Sequence, residues 1–582
     1  MNPAPRFAQL HRSLSEPLRS LLLKDTTFEL TGAWKFFARL EPSQTLLLYM
    51  PGYSALALSL ARHVARVDVI GPNAEEEALL AEIAAAKALT SLNVKHSLAE
   101  LCTPYGTIVL LPQHAAPEDA LLLELLAHLA QQSGAEEWWV VAREVPRLKL
   151  TRRGRNFWQR LRTRQATRAM SSDLRLLFAP SATVKVAQLP EVLDGRLPAF
   201  QHELQLVPDF SSPKYVAPPF AWKKQSGVFE NLRAQKPTPA EHTLLGFSNT
   251  RARSFLERLL GHLNRNRTEA WQIGRQYRVL PGGKVQIELL AENAPTAALL
   301  KLPLIPHAAG RMRENANHLV RLAQTEELRE EQRRLFPQSL AEGIFEGQAF
   351  YLETFLSGRA LEQLPAEQRS PLLFENVFAF WLDVQKRMAR TVKITELVFG
   401  SVFTNLAERM QTWLKLEAQE RELLQRVVAY WQERFAGREL GLGIVHGDFS
   451  IKNILVDPGA QRLTGVIDWD LADFFSVPLL DVLHFFVRLD ARSFQEAPPM
   501  IALRLTQTPE GIHREFFLRA VEVHGYHPED WPGLVMLYWL FRMRGYLGSP
   551  KQTDAKFRRR QISEVLALFA REILSPRVGV VV

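Results

Sequence analysis

The stretch that most restricts the fold is residues 443–470, GIVHGDFSIKNILVDPGAQRLTGVIDWD. Short apolar runs separated by polar loops predict strand, loop, strand, turn, strand. His446-Gly447-Asp448 follows the first strand, and Asn453 comes five residues after the Asp. Ile454-Leu455-Val456 runs into the turn Asp457-Pro458-Gly459, and residues 463–467 lead to Asp468 and Asp470. Carboxylates and an amide thus gather where apolar strands end, which costs stability unless the cluster is used. The plain alternative is a strand-loop-strand with surface acids.

Phosphoryl transfer would use it. That reaction needs an anionic group to orient a hydroxyl, and hard oxygen ligands for the magnesium that neutralises the phosphates. Asp448 suits the first task, Asn453 and Asp468 the second. The pattern resembles the H-x-D-x-x-x-x-N and D-F-G segments of protein kinases. With Gly447 in place of Arg and Asp468-Trp469-Asp470 in place of Asp-Phe-Gly, it is similar to the aminoglycoside phosphotransferase and choline kinase family. That family carries HGDxxxxN and then a hydrophobic-Asp-Trp-Asp/Glu run. The resemblance spans about residues 268–570 and implies a bilobal protein-kinase-like fold that uses ATP and Mg2+. It makes Asp448 the catalytic residue and Asn453 and Asp468 the metal ligands, with His446 organising the loop. The Pro-x-x-Asp helix start at 478–481 matches too, and Asp481 is expected to brace the catalytic loop.

Upstream, residues 277–280 and 285–290 flank Pro281-Gly282-Gly283-Lys284 and predict a hairpin. Gly282 and Gly283 stand at the tip as candidate nucleotide-binding residues; the tip departs from the Gly-x-Gly-x-x-Gly loop of protein kinases, where the family it resembles is loose, and by itself this is a common turn. Residues 297–304, AALLKLPL, place Lys301 in an apolar strand, where an ammonium requires a partner. The resemblance makes Lys301 the phosphate-binding lysine and Glu314, on the next helix, the carboxylate that holds it. An edge-strand lysine facing water is the other reading. Residues 350–358, FYLETFLSG, resemble the hinge strand that meets an adenine edge, with Glu353 at the crossing and Gly358 letting the chain turn. Helices are expected at 361–364, 372–388 and through 403–435.

The first two hundred residues alternate differently. Strands at 45–49, 67–70, 105–111 and 137–145 are separated by helices at 55–67, 75–89 and 117–132. Such alternation predicts parallel pairing in a doubly wound, Rossmann-like sheet. The first strand-helix turn, LLLYMPGYSALALSLA, resembles motif I of class I S-adenosylmethionine methyltransferases. The family's acid falls on Leu48, its first glycine on Met50 and its third on Ser54, leaving Gly52 alone. A methyltransferase-like domain that has lost its cofactor is expected, with an active methyltransferase as the alternative.

The organisation predicted is therefore multidomain α/β and α+β. It comprises a degenerate methyltransferase-like domain over 1–225, a linker and bracing helix over 226–267, a kinase-like N-lobe over 268–356 and a helical C-lobe over 357–582. Pro- and Ser-rich connectors at 208–219 and 235–241 mark the boundary near 225. The basic run 147–168 holds nine Lys or Arg and no acid. It reads as a solvated helix or as a peripheral contact for an anionic surface. Residues 556–560 form a second, smaller patch. A net charge of +9 is modest for 582 residues, so nucleic acid is not an expected partner. One cysteine, Cys102, excludes an internal disulfide. No run approaches the ~18 apolar residues of a membrane span. The opening residues lack the apolar core of a secretory signal, and a cytoplasmic location is expected. The expected activity is an ATP- and magnesium-dependent transfer of a γ-phosphoryl group to a small-molecule hydroxyl. A sugar or surface-glycan intermediate is the first candidate acceptor. A silent binding scaffold and a bifunctional methyltransferase-kinase are the alternatives.

Overall fold

The computed structural model describes residues 254–574 almost continuously; before them it describes Phe36, parts of 41–144 and strands at 187–188, 204–208 and 242–248. The chain divides into two compact units, Met1–Pro295 with Leu302–Ala308, and Thr296–Lys301 with Ala309–Val582.

In the first unit, β1 (Thr45–Tyr49), β2 (Arg66–Ile70), β3 (Leu92–Lys95), β4 (Thr107–Leu110) and β5 (Glu137–Glu144) lie side by side in the order β3-β2-β1-β4-β5, every neighbouring pair parallel. Helix α1 (Ala74–Ala86) connects β2 to β3, as a parallel crossover requires. Leu46, Leu47, Leu48 and Tyr49 are all buried, which explains the unbroken apolar run of β1. Asp68 interrupts that pattern in β2. It is fully buried and accepts bonds from Arg66 Nε at 2.7 Å and Tyr105 Oη at 3.0 Å, so its carboxylate is a satisfied core group. Beyond β5 the sheet turns antiparallel: β6 (Ala187–Gln188) and β8 (His242–Ser248) pair with β5, and β7 (Leu204–Pro208) pairs with β8. Met50, Gly52, Ser54, the basic run 147–168 and most of the two connectors lie outside the described residues.

Helix α2 (Phe255–Leu263) falls where the bracing helix is expected. It starts with a capping box, Ser254 Oγ taking the amide of Glu257 while Glu257 takes that of Ser254. The predicted hairpin forms between β9 (Trp271–Leu280) and β10 (Lys284–Ala291), with Leu280 opposite Lys284 and Gly283 at φ +76°. Gly282 lies outside the described residues.

Strand β11 (Ala294–Pro303) is divided between the units, its middle residues belonging to the second. Those middle residues pair with β13 (Gln348–Thr354), which pairs in turn with β12 (Ser339–Phe345), both pairings antiparallel. Lys301 stands opposite Tyr351, and Leu299 opposite Glu353. Helix α3 (Pro306–Gln324) follows, with proline at its first position, where its missing N–H costs nothing.

The rest of the second unit is a helical body with small sheets set into it. Strands β14 (Arg359–Ala360), β15 (Arg390–Lys393), β16 (Glu439–Val445), β17 (Ile454–Asp457), β18 (Arg462–Val466) and β19 (Asp473–Ser476) form two sheets, β14-β17-β18 and β15-β16-β19. Helices α4 (Pro371–Met388), α5 (Ala418–Phe435), α6 (Leu479–Leu489), α7 (Gly511–His524) and α8 (Trp531–Arg544) enclose the core. The helical periodicity expected over 403–435 divides: one helix covers Asn405–Leu414, and α5 begins after an extended Glu417. Trp381, Trp431, Trp469 and Trp539 are fully buried there. Trp381 stacks on Phe449 at 4.6 Å, and Trp469 lies 4.6 Å from the His446 ring. These rings form a rigid floor for residues 446–453. Among the described residues no helix is long and apolar enough to cross a membrane.

Candidate active site

The 446–453 loop is held through its backbone amides by side chains. His446 is fully buried, and its Nε2 donates to Ile467 O at 3.0 Å while its Nδ1 accepts the Asp448 amide at 3.2 Å. Burial lowers the pKa of that ring, so it serves as a neutral two-ended brace. Asp481, at the start of α6, accepts the amides of His446 at 2.7 Å and Gly447 at 2.9 Å. Burial pushes its carboxyl up to about 7 despite those amides. Gly447 takes φ +82°, and a Cβ there would lie 2.3 Å from Leu471 O. Left-handed backbone and lack of space both demand glycine.

Asp448 is fixed from three sides. Asn453 Nδ2 donates to Asp448 Oδ2 and to its backbone oxygen, each at 3.0 Å. His484 Nε2 reaches Asp448 Oδ1 at 2.8 Å, and Arg542 lies 3.3 Å from the same oxygen. On the far side of the imidazole, Tyr538 Oη meets His484 Nδ1 at 2.9 Å. Burial lowers the His484 pKa to about 3, with the Arg542 charge adding to it. The ring is neutral, so Tyr538 donates to Nδ1 and Nε2–H donates to Asp448. Burial alone would raise the Asp448 carboxyl; the His484 bond and Arg542 overcome it and hold the group well below the usual range. His484, Tyr538 and Arg542 were not candidates from sequence. The signal was present: His484 lies three residues after Asp481, a polar ring in an apolar helix, and Tyr538 and Arg542 are spaced i, i+4 on α8.

Lys301 Nζ lies 2.6 Å from Glu353 Oε1, with only 6% and 9% of the two side chains exposed. The expected partner, Glu314, is not there. Its side chain is 60% exposed and its nearest charge partner is His318 at 4.0 Å. The reason is helical phase: α3 turns Met312, Asn315, Ala316 and Leu319 inward and leaves position 314 on the outer face. Glu353 is corrected as well. Its backbone sits within the sheet, between Leu299 of β11 and Ser339 of β12, and its side chain holds the lysine. Asn315 Nδ2 donates to the other oxygen, Glu353 Oε2, at 3.0 Å, and Asn315 Oδ1 accepts the amide of Trp469 at 2.9 Å. Arg311 forks onto Asp470 at 2.9 and 3.0 Å, and His318 Nδ1 meets Trp469 O at 2.8 Å. Just before these contacts Asp468 adopts φ +67°, which a non-glycine residue rarely takes.

Asp468 is brought beside Asn453 because the Ile467 amide donates to Asn453 O at 2.9 Å. Among the described residues no group of three or more His, Cys, Asp or Glu could hold a metal ion. One carboxylate and one amide nevertheless fit magnesium, which keeps its waters and is carried largely by substrate phosphates.

A buried lysine–carboxylate pair, an ionised Asp behind a glycine-locked loop and a strained Asp after two short strands now stand in one unit, in kinase order. Residues 285–512 match the phosphotransferase enzyme family. The match covers less than half of the chain; this C-terminal region carries a phosphotransferase-family domain. No curated protein matches the chain. Among solved structures, it is similar to aminoglycoside phosphotransferase APH(3'')-Id from Streptomyces rimosus, at 13% identity over 47% of this chain and 92% of that one, TM-score 0.30. It is similar to ADP-bound aminoglycoside phosphotransferase APH(2'')-Ib, at 14% identity over 53% and 96%, TM-score 0.33. It is also similar to WbdD, at 14% identity over 95% of this chain and 92% of that chain, TM-score 0.23. Scores this low carry no weight for chemistry.

Proposed function

We propose that this protein transfers the γ-phosphoryl group of ATP to a hydroxyl of a small molecule, with magnesium. The observation that carries the reading is Asp448: a carboxylate held ionised by His484, Asn453 and Arg542, within the region that matches the phosphotransferase family. In this reading Asp448 orients the acceptor hydroxyl and takes its proton as the new P–O bond forms and the γ-phosphate–ADP bond breaks. Asn453 and Asp468 are the ligands for magnesium, whose chemistry is to neutralise charge on the phosphates. Lys301, delivered by β11 and steadied by Glu353, meets the phosphates. Residues 355–358, just past β13, take the adenine edge that Glu353 is too enclosed to reach. Glu314 has no part.

The test is Asp448→Asn in the full chain. Nucleotide affinity should stay within about threefold, while ATP turnover, basal or acceptor-stimulated across pooled sugars, aminoglycosides and amino alcohols, falls by about two to four orders of magnitude, the scale of a lost positioned base. Turnover absent from the pure parent with every acceptor rejects the kinase and favours a silent scaffold. The first acceptor class to try is a sugar or surface-glycan intermediate, on the resemblance of the 446–453, 467–470 and 477–486 segments to glycan-pathway phosphotransferases.

For the first unit we propose a Rossmann-like, methyltransferase-like domain without cofactor. The strand order β3-β2-β1-β4-β5 supports the fold, since it is that of dinucleotide-binding sheets. Buried Leu48 supports the loss, since the family's acid falls at that position. Calorimetry with S-adenosylmethionine at millimolar concentration should show no isotherm; micromolar binding would restore the bifunctional reading.

A further inference from the structure

Glu353, Asn315 and the 468–470 turn make one continuous polar chain through an otherwise apolar interior. Lys301, Asn315 and Glu353 are 4%, 5% and 7% exposed, and each polar end is used. Glu353 divides its two oxygens between Lys301 and Asn315. Asn315 divides its amide between that carboxylate and the Trp469 amide. The residue next to Trp469 is Asp468, in its left-handed conformation. Arg311 and His318, one turn to either side of Asn315 on α3, grip Asp470 and the Trp469 carbonyl. An apolar side chain at 315 would leave a carboxylate oxygen and a backbone amide buried with a partner lost.

We propose that Asn315 is a positioning residue that joins the phosphate-holding lysine to the metal-holding turn, so that nucleotide and magnesium are bound as one ligand. The proposal rests on the phosphotransferase reading for the identity of both ligands. In a chain where a helix glutamate reaches the lysine, one contact would link helix and lysine directly. Here the carboxylate comes from β13, and Asn315 supplies the missing link to α3. The consequence is a coupling: the affinity for ATP with magnesium exceeds that for ATP alone by a factor that depends on Asn315.

The experiment measures binding of a non-hydrolysable ATP analogue to the full chain by calorimetry, with and without magnesium, in the parent, Asn315→Ala and His318→Ala. His318 touches only the Trp469 carbonyl of this turn and is a milder perturbation. Asn315→Ala should keep metal-free affinity within about threefold and reduce the magnesium enhancement at least tenfold, equivalent to about 1.4 kcal/mol of coupling. His318→Ala should reduce it about threefold. Unchanged enhancement in both variants overturns the proposal. So does an equal loss of affinity with and without magnesium, which is what a purely structural residue would give. If Asn315→Ala does not fold, His318→Ala decides alone, by the same two criteria. If the parent binds no analogue under either condition, the phosphotransferase reading itself fails and takes the coupling with it.

Discussion

Glu353→Gln is the sharpest test of how the site is built. Lys301 and Glu353 meet at 2.6 Å with less than a tenth of either side chain exposed. Breaking such a buried pair from one side leaves an uncompensated charge and costs about 3–5 kcal/mol. Glutamine can still accept a bond from the ammonium but then turns its NH2 toward the Asn315 Nδ2 donor, so at least about 3 kcal/mol is expected. Glu314→Gln, at 60% exposure and 4.0 Å from its nearest partner, should cost under about 0.5 kcal/mol. Lys301→Met combined with Glu353→Met should recover part of the loss, because an apolar replacement of both partners removes the stranded charge but leaves Asn315 Nδ2 without its carboxylate. Urea unfolding of the full chain, followed by tryptophan fluorescence, measures all three; Trp381, Trp431, Trp469 and Trp539 report on the second unit. Glu314→Gln as damaging as Glu353→Gln would refute the pairing, and so would a double variant no better than the single.

Three further outcomes follow from the same geometry. Gly447→Ala should cost well over about 2 kcal/mol, since a left-handed penalty of about 1–2 kcal/mol adds to a clash with Leu471 O; Gly525→Ala, at φ +69° with nothing within 4 Å, should show the penalty alone. Thermal melts of the two variants compare these costs, and equal shifts would show that space at 447 is not limiting. Acid should destabilise the second unit: burial holds His484 near 3 and His524 near 4, below the unfolded value of about 6.5, so their contribution is complete above that value and is lost as pH falls toward 3–4. Each ring costs about 2 kcal/mol at pH 5 relative to pH 8, and His524→Leu should flatten the pH dependence of unfolding by that amount; an unchanged profile would contradict it. Asp468→Asn should remove most of the magnesium-dependent rise in melting temperature given by ATP, and an equal rise in variant and parent would take Asp468 out of the metal site.

The layout of the cassette was legible because it is local. Asp448, Asn453 and Asp468 are set by loop and strand lengths, which spacing in the sequence records directly. The strands of the first unit were legible for a related reason: a buried parallel strand is an uninterrupted apolar run, and β1 matches its expected span. Partner choice was not legible. Whether Glu314 or Glu353 meets Lys301 depends on which face α3 turns inward, and both candidates have the right chemistry at acceptable separations. The His484–Tyr538 support of Asp448 joins residues 54 positions apart on different helices, a contact created only by packing α6 against α8. The strand expected at 105–111 begins at Thr107, and Tyr105, just before it, sends its hydroxyl to Asp68.

The left-handed Gly447 also bears on control. Protein kinases carry an arginine at this position of the loop, and activation segments in such enzymes are commonly ordered when an introduced phosphate pairs with arginine. Here the backbone dihedral and the Leu471 carbonyl leave no volume for any side chain. A phosphorylation switch routed through this position is closed on steric grounds alone. An evolutionary path toward one would have to rebuild the 447–471 contact first, and with it the brace from Asp481. What the chain has in exchange is a loop whose shape is set by folding, through Gly447 and the Asp481 brace.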